Sequence, residues 1–149
     1  MYLDSAIIVK LLVRETDSDW FVRNLSGHSF ESSELALTEV CAALLFKERG
    51  NDITQRERVG ATEKFFAMVE SELVLLFPLN RRVFERASAI QLACHPRIPL
   101  RTLDSLHVAT CDLHRSAGMC ATDGRIRAAC QQLGITLTPE NVEELPQPK

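Results

Sequence analysis

Apolar positions along this chain fall into two kinds of run. Short compact ones, bounded by polar or turn residues, predict strands; longer ones with apolar residues at helical spacing predict helices. "YL" at 2–3 is the first strand, followed by the helical "SAIIVKLLVRE". Asp17 or Ser18 caps a second helix carrying Trp20, Phe21 and Leu25. "SFESSE" after Gly27 is a faint strand, and "LALTEVCAALLFKERG" a strong helix stopped by Gly50. Thr54 caps the amphipathic "ITQRERVGATEKFFAMVESE", and "LVLLFP" at 73–78 is a strand by its length. Asn80 caps "RRVFERASAIQLAC", which the prolines of "HPRIP" end. "TLDSLHVATCDLHRSAG" is a helix with Thr102 at its cap and Gly118 past its end. "MCAT" is a short strand, "GRIRAACQQLG" a helix and "ITLT" a last strand.

Strands alternate with helices, sometimes two to a crossover. This predicts an α/β domain in which helices cover both faces of a parallel sheet. No repeat, low-complexity tract or linker interrupts the pattern, so residues 1–149 read as one domain, with a peripheral tail from Pro139 onward.

One position breaks the first apolar run. Asp4 lies between the strand and its helix, where the pattern calls for an apolar side chain. Asp123 holds the equivalent place between "MCAT" and the following helix. In a parallel sheet all such junctions lie on the carboxyl edge, where these folds place their sites. The topology thus brings two carboxylates together from distant sequence. Asp104 falls in the first turn after Thr102, where a helix dipole favours negative charge. Glu39 lies inside the helix 35–49, among Leu35, Ala42, Ala43 and Phe46, at the border of the buried face.

Each acid has an ordinary alternative: an N-cap for Asp4, an Asx-turn for Asp123, a dipole-favoured surface acid for Asp104, a solvated flank for Glu39. Gathered in one place, however, they would repel one another unless cations held them together. Oxygen-only ligands select Mg²⁺ or Mn²⁺ over zinc. Ions held roughly 3.5–4 Å apart activate water and steady the leaving oxygen of a phosphodiester. Hydrolysis of a nucleic-acid backbone is the natural use.

Composition narrows the setting. Hydrophobic residues make up 46% of the 149 and charged residues 25%, normal for a folded soluble domain. With 17 basic and 20 acidic residues the formal charge is −3, so polyanion binding has to come from local basic patches. Five cysteines, Cys41, Cys94, Cys111, Cys120 and Cys130, form no CxxC pair, which argues against a disulfide framework or a structural zinc site and for core positions in a reduced, cytoplasmic setting. The start lacks a signal-peptide pattern and no apolar run approaches a membrane span.

With four acids in hand, the chain resembles the PIN-domain family, and in size and layout its VapC-type ribonuclease toxins from toxin–antitoxin pairs. "YLDSAIIVKLL", "LTEVCAALL", "IPLRTLDSLHVAT", "ATDGRIRAAC" and the closing "LGITL" carry the likeness in the family's order over nearly the whole chain. The resemblance implies a three-layer fold with a small central parallel sheet, and an Mg²⁺-dependent endoribonuclease. Asp4, Glu39, Asp104 and Asp123 match the family's acidic positions, with Asp4 and Asp104 as the most direct metal ligands. Ser5 matches a frequent hydroxyl residue that orients the first acid or a water. The family often has Thr or Ser two places before its last acid; here position 121 is Ala, and Thr122 adjoins Asp123. The resemblance also implies an RNA substrate, a cognate antitoxin, a homodimer, and operator DNA bound only through the antitoxin complex.

Other residues are less telling. His107 and His114 share a helix face but have no HExxH partner, and a packing role suits His107 better than ligation. Arg81, Arg82, Arg86, Arg97 and Arg101 form the densest basic region: a solvated face, or an RNA track toward the acids, with Arg81, Arg82, Arg97 and Arg101 as the candidate contacts. Arg125 and Arg127 beside Asp123 are equally two-sided. No glycine-rich phosphate loop exists. A phosphatase or phosphoacceptor domain fits poorly, since position 6 is Ala and the DxD pair is missing. A non-catalytic RNA- or protein-binding module of the same fold is the other alternative.

Overall fold

Strand β1 is only Tyr2–Leu3, yet both residues are fully buried, in different cores. Successive strand residues point to opposite faces, so Leu3 packs against the helices on one face and Tyr2 against those on the other. The computed structural model describes residues 1–146. After β1 come α1 (Ser5–Leu12), α2 (Ser18–Asn24), β2 (Phe30–Ser33), α3 (Ala36–Arg49), α4 (Gln55–Glu70), β3 (Val74–Phe77) and α5 (Arg81–Cys94). They are followed by α6 (Thr102–His114), β4 (Met119–Cys120), α7 (Gly124–Leu133) and β5 (Leu137–Thr138).

All strand pairs are parallel, in the order β3-β2-β1-β4-β5, with Tyr2 opposite Glu31 on one side and Met119 on the other. The expected α/β architecture of a central parallel sheet between helical layers is what forms. Leu3 and Cys120 belong to a core with Ile7, Ile8, Val40, Leu44 and Phe65, from α1, α3 and α4. Tyr2 and Met119 belong to a second, with Val83, Ile90, Val108 and Ile126 from α5, α6 and α7. Phe65, with no exposed surface, contributes about 2–3 kcal/mol by its burial.

The strand order places the site. From β1 the chain steps outward to β2 and β3, then returns across β1 to build β4 and β5. This reversal opens a crevice beyond the carboxyl ends of β1 and β4, where open α/β sheets bind ligands. Asp4 and Asp123 directly follow those strands.

Several local expectations hold and several are revised. Thr54 caps α4 as expected, and Glu57 adds a capping box: Thr54 N–H donates to Glu57 Oε2 at 2.7 Å while Thr54 Oγ1 accepts from Glu57 N at 3.2 Å. Helix α1 ends at Leu12 instead of running to Glu15, because Val13 turns extended and Lys10 reaches over to Glu15 and Asp17. The N-cap of α6 is Arg101, not Thr102, and makes no side-chain capping bond. The left-handed turn after α6 falls on Arg115 (φ 51°), not glycine. Gly118 is needed for space, since a Cβ there would stand 3.0 Å from Thr136 O.

The segment from Pro139 is more engaged than a peripheral tail. Leu145 is buried in the first core, and Arg127 donates to Pro139 O at 2.8 Å and Glu140 O at 2.8 Å. Residues 147–149 lie outside the described residues. Cys94, Cys111, Cys120 and Cys130 are buried as expected, with Cys41 partly so. Among the described residues no helix is long and apolar enough to cross a membrane.

Candidate active site

Four helices begin around the crevice, each with an acid at its start. Asp4 is the N-cap of α1 and Asp123 the N-cap of α7; Glu39 and Asp104 lie in the first turns of α3 and α6. Helix N-termini carry partial positive charge, which offsets part of the cost of assembling carboxylates. All four acids line one open cleft of about 450 Å³, together with Ser5, Ala42, Ala43, Leu103, His107 and Ile126.

Asp4 is 4% exposed, and its Oδ1 accepts from Ile7 N at 2.9 Å. Capping and a place in the cleft therefore coexist in one side chain. Burial, aided by the charges of Glu39 and Asp123, pushes its carboxyl from 3.8 up to about 6, against the pull of the Ile7 hydrogen bond and His107.

Glu39 is half-buried, as its helical position implied, and its Oε2 is held from two sides. Ser5 Oγ donates to it at 2.6 Å, and His107 Nε2 stands 2.7 Å away. The far side of the imidazole is fixed by Tyr2, whose hydroxyl lies 2.9 Å from Nδ1. Burial works to raise the Glu39 carboxyl, but the bonds from His107 and Ser5 overcome it and hold the group below its ordinary range. Ser5 thus orients Glu39 rather than Asp4. His107 is 3% exposed, as a packing residue should be, yet it also anchors a cleft acid, which sequence reasoning missed. The available signal was its place one helical turn after Asp104 in "LDSLH".

Asp123 Oδ1 accepts from Arg125 N at 2.8 Å and Ile126 N at 3.2 Å, so the Asx-turn that was its ordinary alternative forms as well as its place in the cleft. Arg125 Nη2 donates to Asp123 Oδ2 at 3.0 Å. Against the effect of burial, these bonds and the guanidinium charge hold its carboxyl low. Asp104 is raised by burial and by the Asp123 charge, in spite of Arg101 and Arg125.

Other candidates are sorted by position. Thr122 is half-buried in the loop ahead of Asp123 and does not line the cleft. Ala121, fully buried, extends the β4 ladder by donating from N to Thr138 O at 3.2 Å. Arg101 is exposed, and its charge acts on Asp104. Arg81, Arg82 and Arg97 are exposed but do not line the cleft, and Arg81 pairs with Glu85. Arg86 pairs with Asp112, and Arg127 is a buried structural residue. His114 stacks on Phe77 at 3.7 Å.

The donor set fits a hard divalent cation in kind: carboxylate oxygens, with no thiol or free imidazole nitrogen turned to the cleft. Asp104 Oδ2 is buried without a hydrogen-bond partner, an acceptor left for a cation. As they stand, no three His, Cys, Asp or Glu side chains among the described residues surround one point closely enough to ligate a single ion.

A family model described as PIN domain matches residues 1–132. The chain is also 34% identical over 143 residues to Ribonuclease VapC46 of Mycobacterium tuberculosis, an alignment covering 92% of this chain and 95% of that relative.

Proposed function

The chain belongs to the PIN-domain family, and from that premise we propose that it is a divalent-metal-dependent endoribonuclease, the toxin of a VapC-type toxin–antitoxin pair. The observation that carries the reading is the meeting of Asp4, Glu39, Asp104 and Asp123 in one cleft, each at the start of a different helix. A relative named as a ribonuclease, similar over almost its full length, supports the same reading.

Asp4 and Asp104 are the residues that would hold Mg²⁺ or Mn²⁺ directly, with Asp123 and Glu39 completing the set. A divalent cation bound there supplies Lewis acidity that makes water nucleophilic near neutral pH and offsets charge building on the phosphodiester. Glu39, its Oε2 fixed by Ser5 and His107, keeps Oε1 free to orient the attacking water and accept its proton. The helix N-termini favour the charge collected there. Arg101, exposed and close enough for its charge to act on Asp104, would contact an RNA phosphate; Arg81, Arg82 and Arg97 would act only farther along the strand.

The same reading carries its partners: an RNA substrate, an antitoxin that covers the cleft, a second copy in a homodimer, and operator DNA reached only through the toxin–antitoxin complex. It places the protein in the cytoplasm. The test is RNA cleavage by the purified chain in Mg²⁺, with EDTA and Asp4→Asn as comparisons. Both should reduce cleavage by at least ~10²-fold, equivalent to about 3 kcal/mol of transition-state stabilisation. Equal cleavage by the variant defeats the reading, and RNA bound but never cut favours a binding module.

A further inference from the structure

Between two of the four acids stands a cation supplied by the chain itself. Arg125, on the first turn of α7, places Nη2 3.0 Å from Asp123 Oδ2 and Nε 3.5 Å from Asp104 Oδ2. The contact with Asp123 is a hydrogen bond; that with Asp104 is an ion pair without one, leaving both Asp104 Oδ2 and Arg125 Nε buried and unbonded. The single guanidinium charge therefore offsets one of the two carboxylate charges, and its hydrogen bond satisfies Asp123 alone. As it sits, the fork is turned toward Asp123, and its Nε meets Asp104 at ion-pair distance only.

Asp4 and Glu39 make no such contact with Arg125, so the guanidinium is specific to the Asp104–Asp123 side of the cleft. The Asp104 oxygen left buried without a hydrogen bond, Oδ2, is the one that Arg125 now faces. Two cations cannot share it at close range without repulsion.

We propose that Arg125 is a built-in counter-cation that a divalent ion must displace from Asp104 and Asp123, and that it thereby weakens the cleft's cation affinity. The inference rests on the cleft's reading as a cation site. Release of the guanidinium would free a forked donor whose geometry suits a phosphate. Arg125 is thus an affinity-setting residue that acts through Asp104 and Asp123.

The test is titration calorimetry of the full chain with Mn²⁺, in the absence of RNA. Arg125→Gln removes the charge and keeps a polar side chain at this partly exposed position. Arg14→Gln removes a charge far from the cleft, at a side chain 83% exposed and paired with Asp19. Arg125→Gln should bind Mn²⁺ about tenfold more tightly than the wild type, which corresponds to about 1.4 kcal/mol, while Arg14→Gln stays within about twofold. The Mn²⁺-induced rise in melting temperature, which also checks folding, should be larger for Arg125→Gln. Equal or weaker binding by Arg125→Gln overturns the role of Arg125 and leaves the cation site standing. Absence of Mn²⁺ binding by all three proteins overturns both.

Discussion

His107 Nε2 and Glu39 Oε2 lie 2.7 Å apart although the residues are 68 positions apart in the chain. Glu39 is acceptor-only when ionised, so Nε2 carries the proton and Nδ1 faces the Tyr2 hydroxyl. A buried path from β1 through α6 thus fixes the orientation of an acid on α3. Without it Glu39 could rotate out of the cleft toward solvent.

His107→Leu should therefore lower Mn²⁺ affinity by about 10–100-fold, the usual cost of losing a group that orients a ligand. Stability should fall by about 1–3 kcal/mol as partners are left unpaired. Calorimetric titration beside urea denaturation separates the effects. A stability loss with unchanged affinity would reduce His107 to packing, whereas recovery of affinity in His107→Gln would support positioning.

Asp4 governs a pH dependence with a definite sign. Its folded pKa of about 6 lies above the ordinary 3.8, so the fold favours the protonated form. This contribution is fully present below about pH 3.8 and is lost as pH rises through about 6. In EDTA the wild type should lose on the order of 2–3 kcal/mol relative to Asp4→Asn across that window. Urea denaturation at a series of pH values reads the difference directly, and parallel curves would show that Asp4 titrates alike in the folded and unfolded chain, contradicting the raised pKa. Because the proton competes with a cation, Mn²⁺ affinity should also rise with pH through about 6.

Arg127 carries no RNA in this account. Its guanidinium donates to the carbonyls of Ala121, Pro139 and Glu140, tying the loop before Asp123 to the chain after β5. Arg127→Leu should destabilise the protein by about 3 kcal/mol through carbonyls left unpaired. A loss under about 1 kcal/mol in urea denaturation would contradict the structural role.

Arg101→Gln should weaken RNA binding several-fold and reduce the salt dependence of binding by about one phosphate contact. Filter binding to an RNA oligonucleotide over a range of KCl concentrations measures both. An unchanged salt slope would remove Arg101 from the RNA path.

Much of this architecture was written into apolar periodicity. "LALTEVCAALLFKERG" and "LVLLFP" announce α3 and β3 because burial on one face or both leaves a regular mark. Asp4 was conspicuous for the opposite reason, as a carboxylate where the pattern wanted an apolar residue. The junction rule for parallel sheets then sufficed to pair it with Asp123. What stayed hidden depends on contacts between distant segments. The hydrogen bond of His107 to Glu39 has no local signature, and neither does the choice of Ser5 to serve Glu39 over Asp4. Arg115 takes the left-handed turn after α6 without the glycine that would have marked it, and Arg101 begins α6 without a capping side chain. Arg125 and Arg127 are two residues apart and chemically alike; only the helix geometry turns one to the acids and buries the other under the tail.

The most direct measurement is the anomalous scattering of Mn²⁺ in crystals of the wild-type chain. The account predicts a peak in the cleft within ligand distance of Asp4 and Asp104, with the Arg125 guanidinium moved away from Asp104. Mn²⁺ bound only elsewhere on the molecule, or a cleft still bridged by Arg125 at saturating Mn²⁺, would contradict it.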